Sequence, residues 1–190
     1  MSTGRLEAFS DGVIAIVITI MVLALQPPHG RDLRALRPLL PVLLSYVLSF
    51  VYVGIYWSNH HHMMHATRRV TGTILWANMH LLFWLSLVPF VTAWLGENGG
   101  PWPTALYGFI MLMAGVAYSI LEWTIVASEG NDSVMARAVG SDVKAQVSLA
   151  AYVVAIGLAF AHERVAQLVY VVVALAWFLP DRRIETLLTE

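Results

Sequence analysis

The sequence predicts an all-α integral membrane protein with six transmembrane helices, on the grounds of its composition and the spacing of its apolar runs. Of its 190 residues, 58% are hydrophobic and only 12% are charged. A soluble domain carries about 25% charged residues, so this composition argues against a soluble fold. Apolar runs approach the length of about 20 residues that a membrane helix needs. We therefore predict one membrane domain over residues 1–190.

The six helices are predicted at 9–26, 38–62, 71–95, 103–127, 143–161 and 165–180. Two consecutive prolines, Pro27 and Pro28, end the first helix because proline cannot continue one. The later breaks are Arg68-Arg69, the segments GENGGPWP and SEGNDS, and the tight turn AHER. The sixth helix is the shortest, and three arrangements suit it: a tilted helix, a helix partly sheltered by its neighbours, or a hairpin with the fifth helix.

The apolar run from Val13 to Leu25 has the length of a signal-peptide core. Glu7 and Asp11 precede it, and no small-residue cleavage site follows before the prolines. A signal peptide has a positively charged start and such a site. We therefore predict a retained helix.

Several classes of function find no support in the sequence. A net charge of -1 provides no basic surface for nucleic acid, and the absence of cysteine excludes thiolate metal sites and cysteine nucleophiles. No H-E-x-x-H, G-x-S-x-G or phosphate-binding glycine loop occurs. We predict that the protein is not an enzyme and has no cofactor. A proton-coupled secondary transporter is the alternative, although neither broken helices nor inverted repeats are evident.

The basic residues favour an orientation with both termini in the cytoplasm. In that orientation the inner segments carry seven basic residues: Arg5, Arg68, Arg69, Arg137, Lys144, Arg182 and Arg183. The outer loops carry four: Arg31, Arg34, Arg37 and Arg164. Lys and Arg accumulate on the cytoplasmic side of membrane proteins. Five tryptophans near helix ends are typical of an interfacial aromatic belt: Trp57, Trp94, Trp102, Trp123 and Trp177.

One stripe of the first helix consists of residues at i, i+3, i+4 and i+7: Ile16, Thr19, Ile20 and Leu23. Such a stripe is more often ordinary helix packing than a conduction path. At the start of this helix, Ser10 or Asp11 could act as a cap. The other interpretation is that they meet polar groups of neighbouring helices, since a carboxylate near the membrane is costly without a partner.

Three sequence blocks carry a resemblance to a known family. Arg5 and Phe9-Ser10-Asp11 form the signature R-x-x-x-F-S-D. The block YWSNHH at 56–61 and the block WANMHLLFWLSLVPF at 76–90 follow in order. Over about the first half of the chain, this arrangement resembles the transmembrane protein 175 potassium channels.

The resemblance implies a prokaryotic single-unit member that forms a homotetramer in the plasma membrane, with four first helices around a central pore. It implies a hydrophobic ring at Ile16, a threonine ring at Thr19, and further pore-lining positions at Ile20 and Leu23. The partners it implies are the lipid bilayer and monovalent cations, with K⁺ as the permeant ion. It also implies an interhelical polar network that shapes the pore, with members among Arg5, Phe9, Ser10, Asp11, His60, His61 and Asn78.

The residue types of the stripe suggest how such a pore would work. The sequence has no TVGYG-like carbonyl filter, and a continuous helix has already engaged its backbone carbonyls. Four Ile16 side chains would form an apolar constriction that blocks flow by dewetting. Four Thr19 hydroxyls could replace part of the water shell of an ion. We expect a modest preference for potassium over sodium, and helix C-termini together with Gln26 would favour cations.

The segment HHHMMH, from His60 to His65, is the second conspicuous feature. His61 and His65 lie four residues apart on one helix face, a spacing that suits two ligands of a metal ion. No acidic residue lies nearby in the sequence to complete such a site, and we predict no metal. The resemblance to the transmembrane protein 175 channels implies instead that a ring nitrogen of His60 or His61 bonds Ser10 or Asp11 across helices. A pH-responsive role stays open.

Overall fold

The computed structural model describes residues 2–130 and 143–178. The α-helices within these ranges are α1 (Thr3–Met21), α2 (Leu40–Ala66), α3 (Gly72–Ser86), α4 (Val88–Asn98), α5 (Pro101–Glu129), α6 (Val143–Ala161) and α7 (Glu163–Phe178). Two 3₁₀ segments, Val22–Ala24 and Leu33–Leu39, lie between α1 and α2. Because α3 and α4 are two parts of one interrupted span, these elements confirm the predicted six-helix architecture.

Within the described residues, five spans are long and apolar enough to cross a membrane: Thr3–Ala24, Leu33–Ala66, Gly72–Asn98, Pro101–Glu129 and Val143–Ala161. The sixth helix, α7, has 16 residues and follows α6 after a break at His162, as the AHER turn predicts. Positions 179 and 180 of the predicted sixth helix lie outside the described residues. Large apolar side chains such as Val153, Val154, Leu168 and Val172 are exposed on α6 and α7. The chain is therefore a multi-pass membrane protein whose perimeter suits lipid.

The prediction that the first helix begins at residue 9 was wrong, because α1 begins at Thr3. The reason is packing: Leu6 is 1% exposed and belongs to the core, so the turn that carries it is folded against the bundle. The neighbouring Arg5 stays exposed. The helix therefore extends one and a half turns further towards the N-terminus than the apolar run alone indicates.

The prediction of a continuous third helix was also wrong, because the span breaks at Leu87 between α3 and α4. Pro89 has no N–H to donate to the carbonyl oxygen four residues earlier, and proline is tolerated in the first turn of a new helix. The Leu87 N–H instead bonds the Trp84 carbonyl oxygen at 3.2 Å, which tightens the last turn of α3. The break is surrounded by protein, since Leu85 and Val88 are fully buried.

The seven described helices pack around one apolar core. α1 lies against α2, α3 and α4, while α5 packs against α3, α4 and α6, and α7 packs against α6 and α2. α2 and α4 approach most closely at Gly96, where an added Cβ would lie 2.7 Å from the Val42 Cα. Small residues at membrane helix interfaces permit this kind of backbone approach.

Hydroxyl groups connect α2, α4 and α5 inside this core. The Thr92 hydroxyl lies 2.7 Å from both the Ser49 hydroxyl and the Val88 carbonyl oxygen. Ser49 in turn lies 3.0 Å from the Tyr107 hydroxyl. All three side chains are buried, so each hydroxyl needs a protein partner where water is excluded.

Candidate pore-lining site

α1 has two chemically distinct faces. Its buried face consists of Leu6, Ser10, Ile14, Val17 and Met21, which pack against α2, α3 and α4. Its other face presents the predicted stripe, which we call the α1 outer stripe: Ile16, Thr19, Ile20 and Leu23. Ile16 is 61% exposed, Ile20 is 42% exposed and Leu23 is 68% exposed. Packing inside the protomer therefore does not account for the outer stripe, and its side chains are available to line a pore.

Thr19 is oriented by its own helix. Its Oγ1 donates a hydrogen bond of 3.0 Å to the Ile16 carbonyl oxygen. Because the proton is used towards the backbone, the lone pairs of the hydroxyl oxygen are free to accept from water or to face a cation. The outer stripe therefore places an oxygen ligand directly after the apolar side chain of Ile16.

The end of the outer stripe departs from the continuous helix expected of the sequence. Leu23 lies in the 3₁₀ segment Val22–Ala24, which tightens the chain after Met21. The side-chain amide of Gln26 donates to the Leu23 carbonyl oxygen at 2.9 Å. This bond satisfies one of the carbonyls that a helix end leaves without a backbone partner. Gln26 therefore caps the end of the 3₁₀ segment that follows α1.

Three polar contacts hold α1 antiparallel to α2. In order along α1, Thr3 donates to the Thr67 carbonyl oxygen at 3.3 Å, Glu7 binds His61 at 2.8 Å, and Asp11 accepts from the Trp57 indole at 3.0 Å. Each step of four residues along α1 is matched by a step of four to six residues in the opposite direction along the partner segment. These side chains share one side of their helices, so the contacts fix the register of α1 against α2.

A fully buried chain of polar side chains connects α1, α3 and α2. The Asn78 amide nitrogen donates to the Ser10 hydroxyl at 2.9 Å, and Ser10 donates to the Leu6 carbonyl oxygen at 2.9 Å. His60 Nε2 lies 2.7 Å from the Asn78 side-chain oxygen. That oxygen can only accept, so Nε2 carries the proton and Nδ1 is bare. Among the described residues, Nδ1 of His60 is buried without a hydrogen-bond partner.

The sequence-based expectation for the histidine pair was wrong in its partners. Neither His60 nor His61 bonds Ser10 or Asp11: His60 reaches Ser10 through Asn78, and His61 binds Glu7. The Asn78 amide is long enough to bridge α1 and α2 from a third helix, which removes the need for a direct contact. Arg5 is exposed and Phe9 is 50% exposed, so these two signature residues lie outside the buried chain in the protomer.

Two residues of the α1–α2 contacts, Glu7 and Trp57, were not predicted from the sequence to make them. Glu7 lies four residues before Asp11 on α1, and Trp57 lies four residues before His61 on α2. Residues four apart lie on the same helix face. A search for polar pairs at this spacing on both helices would have found both residues.

A small cavity lies away from α1, between α2, α5 and α6. It has a volume of about 50 Å³ and is lined mainly by aromatic and hydroxyl side chains, among them Tyr52, Tyr56, Tyr118, Ser148 and Tyr152. Sites for small molecules usually enclose about 300 to 1,000 Å³. This cavity is therefore large enough for a few water molecules and too small for an organic substrate.

Comparisons with known proteins agree on one family. The family model for the endosomal/lysosomal potassium channel TMEM175 matches residues 5–89, which include the outer stripe and the buried polar chain. A protein from Chryseobacterium sp. (strain P1-3) named a potassium channel is 49% identical over 191 residues, covering all of both chains.

A solved structure and a mammalian relative extend this comparison. The crystal structure of a lysosomal potassium-selective channel TMEM175 homolog from Chamaesiphon minutus matches with a TM-score of 0.78 at 28% identity, covering 93% of this chain and 96% of that chain. The endosomal/lysosomal proton channel TMEM175 of Mus musculus is 34% identical over 101 residues, which cover 47% of this chain and 20% of the mouse protein.

Replacing Asn78 with leucine tests the buried polar chain. Asn78→Leu keeps the volume but leaves the His60 Nε2–H and the Ser10 oxygen without their partner. Because an unsatisfied buried polar group costs about 1 to 3 kcal/mol, we expect a loss of about 2 kcal/mol and a melting temperature lower by about 4 to 8 °C in detergent. The matched control is Asn98→Leu, at an exposed position near the end of α4. Equal melting temperatures for both variants would contradict a stabilising role for the chain.

Proposed function

This chain belongs to the TMEM175 family, and from this membership we propose that it is a potassium-permeable, modestly selective cation channel. The observation that carries the proposal is the outer stripe of α1, where exposed Ile16 precedes the oriented hydroxyl of Thr19 within the range that the family model matches. The family is a class of ion channels and not a class of enzymes. The chemistry of the stripe is suited to passive ion flow.

The pore is formed by four copies of the chain, each contributing its α1. One protomer offers a single outer stripe, and a pore needs a closed ring of such stripes. The position of α1 supports this assembly, because its buried face packs on α2, α3 and α4 while the opposite face stays uncovered. In the homotetramer the four outer stripes face a central axis, and the apolar surfaces of the other helices face lipid.

Ile16 forms the constriction of this pore. Four exposed isoleucine side chains at one level make a narrow apolar ring, which water leaves when the ring is tight. An ion cannot cross such a ring without losing its hydration shell, and flow stops. A small outward movement of the four α1 helices rewets the ring and opens the path.

Thr19 gives the pore its preference for potassium. Its hydroxyl oxygen, oriented by the bond to the Ile16 carbonyl, replaces part of the water around an ion just after the constriction. A weakly hydrated ion loses less on partial dehydration, so K⁺ passes more readily than Na⁺. Four side-chain hydroxyls have less fixed geometry than a filter of backbone carbonyls, and the selectivity is correspondingly modest.

Asp11 supports the pore without lining it. Its carboxylate accepts the Trp57 indole N–H, which directs it towards α2 and away from the outer stripe. Together with the Ser10–Asn78–His60 chain, this contact holds α1 at the angle that presents Ile16 and Thr19. The polar residues of the signature are positioning residues in this mechanism.

The protein lies in the plasma membrane of a prokaryote with both termini in the cytoplasm. The basic residues support this orientation, although three of the seven inner ones, Arg137, Arg182 and Arg183, lie outside the described residues. The contacts of α1 with the end of α2 bring Arg5 to the same end of the bundle as Arg68 and Arg69. This clustering is what the positive-inside rule expects of a cytoplasmic end.

A proton-coupled transporter is a weaker explanation of the same features. Such a protein needs a central substrate site, commonly at discontinuous helices. The broken span α3–α4 meets the second condition in part, but its break is filled by buried apolar residues. The cavity between α2, α5 and α6 has only about 50 Å³. Channel activity therefore accounts better for the exposed stripe of α1.

The reversal potential of the purified protein in planar bilayers or liposomes tests the proposed function. With K⁺ and Na⁺ on opposite sides and equal pH, we expect a bidirectional current whose reversal potential shifts towards the potassium equilibrium potential. A second recording adds a pH gradient, because the mouse relative is named a proton channel. A reversal potential that follows the proton gradient and ignores K⁺ would contradict the proposal, as would saturable flux that requires protons.

Replacing Ile16 with asparagine tests the constriction. Ile16→Asn makes the ring wettable, and we expect the single-channel conductance or open probability to rise about tenfold, which corresponds to a barrier lower by about 1.4 kcal/mol. Ile16→Leu is the matched control, since it keeps the apolar volume and should conduct like the original protein. Currents that are unchanged in Ile16→Asn would place the constriction elsewhere.

Replacing Thr19 with valine tests the selectivity layer. Thr19→Val keeps the β-branched shape and removes the hydroxyl, so we expect the potassium-to-sodium permeability ratio to fall towards unity in bi-ionic recordings. Thr19→Ser retains the oxygen and should retain most of the preference. A ratio that is the same in Thr19→Val as in the original protein would refute a role for the hydroxyl.

A further inference from the structure

Glu7, His61 and His65 form a compact cluster where the first turns of α1 meet the last turns of α2. His61 Nδ1 lies 2.8 Å from Glu7 Oε1, and His65 Nε2 lies 3.8 Å from the same oxygen. One potential ligand atom from each residue falls within 4.8 Å of the other two. The conduction mechanism uses none of these three side chains.

We propose that this cluster, the α1–α2 histidine site, binds a divalent transition-metal ion of the zinc class. Two imidazoles and one carboxylate are the protein ligands of many zinc sites, with metal–ligand distances of about 2.0 to 2.2 Å. Ligand atoms around a tetrahedral ion at such distances lie roughly 3.3 Å apart. The separations in the cluster lie on both sides of this value, so small side-chain rotations bring all three atoms into range.

The backbone holds the three ligands in a favourable arrangement. His61 and His65 occupy positions i and i+4 of α2, so their rings project from one face, with ring centroids 4.5 Å apart. Glu7 approaches from α1 and is fixed nearby by the Thr3 and Asp11 contacts on either side of it. No acidic residue lies beside these histidines in the sequence, because the third ligand, Glu7, is 54 residues before His61 and is brought to it by folding.

The site is accessible to ions from water. The side chains of His61 and His65 are 40% and 61% exposed, and that of Glu7 is 20% exposed. An open side of this kind leaves a fourth coordination position for a water molecule. Imidazole ligands favour Zn²⁺, Co²⁺, Ni²⁺ and Cu²⁺, whereas Mg²⁺ and Ca²⁺ favour sites built from oxygen alone. The site therefore selects transition metals over the abundant alkaline-earth ions.

A bound metal ion would replace the direct Glu7–His61 contact with a stronger connection between α1 and α2, beside the Asp11–Trp57 contact. A ligand that binds the folded state and not the unfolded state raises the melting temperature, and the rise grows with the logarithm of the ligand concentration once that concentration exceeds the dissociation constant. The site therefore predicts a zinc-dependent stabilisation that does not depend on ion conduction. This makes the metal site testable whether or not the proposed channel function holds.

The experiment uses the full chain in detergent micelles, with any affinity tag removed because a histidine tag would itself bind zinc. Isothermal titration with ZnCl₂ should give one ion per protomer, and titration with MgCl₂ should give no comparable heat. His61→Ala and His65→Ala should each weaken Zn²⁺ binding at least tenfold, and Glu7→Gln should weaken it less. His62→Ala is the matched control, since it removes a neighbouring imidazole that is not part of the cluster.

Two further measurements separate loss of the ligand from loss of the fold. Co²⁺ bound to the original protein should show the visible absorption of a tetrahedral site, and this absorption should disappear in the His61→Ala/His65→Ala double variant. The Glu7–His61 contact also helps to hold α1 against α2, so the zinc-dependent rise of each variant is measured from its own metal-free melting temperature. The conservative Glu7→Gln protects the test if a histidine variant misfolds. Unchanged zinc affinity in the double variant, or no zinc-dependent rise in the melting temperature of the original protein, would overturn the proposal.

Discussion

The contact between α1 and α2 is the interaction on which the remaining arrangement depends. Among the described residues, α1 packs on its neighbours with one face, so its rotation and tilt are set by what that face contacts. Apolar packing in a membrane gives little directional information, because lipid is as apolar as the side chains it would replace. The paired polar side chains of α1 and α2 supply this directional information, because each contact joins one specific position of α1 to one specific position at or near the end of α2.

The buried Ser10–Asn78–His60 chain connects α3 to α1 and α2, and so it also fixes the orientation of α1. A polar group without a partner inside the bilayer is costly, so a rotated α1 would leave Asn78 or Ser10 unsatisfied. The same rotation would carry Ile16 and Thr19 away from the axis that the four outer stripes are proposed to share. In the proposed pore, this buried chain would therefore position the residues of the outer stripe without lining the ion path itself.

The sequence predicted the number of helices well, because membrane-spanning runs are long and their breaks contain proline, glycine or arginine. It also predicted the outer stripe as a continuous face, since helical periodicity alone places Ile16, Thr19 and Ile20 together. It failed at Leu87, where the aliphatic composition hid the effect of Pro89. It failed again for the partners of His60 and His61, because the choice between Ser10, Glu7 and Asn78 depends on helix orientations that no local pattern encodes.

The interruption at Leu87 divides the third span into two pieces with separate tasks. α3 provides Asn78 to the polar chain with α1, whereas α4 provides Thr92 to Ser49 and places Gly96 against the α2 backbone. If α3 and α4 formed one straight helix, both ends of the span would have the same tilt. With the break, α3 and α4 can take different tilts, each set by its own contacts. The third span therefore meets its neighbours as two separately packed pieces.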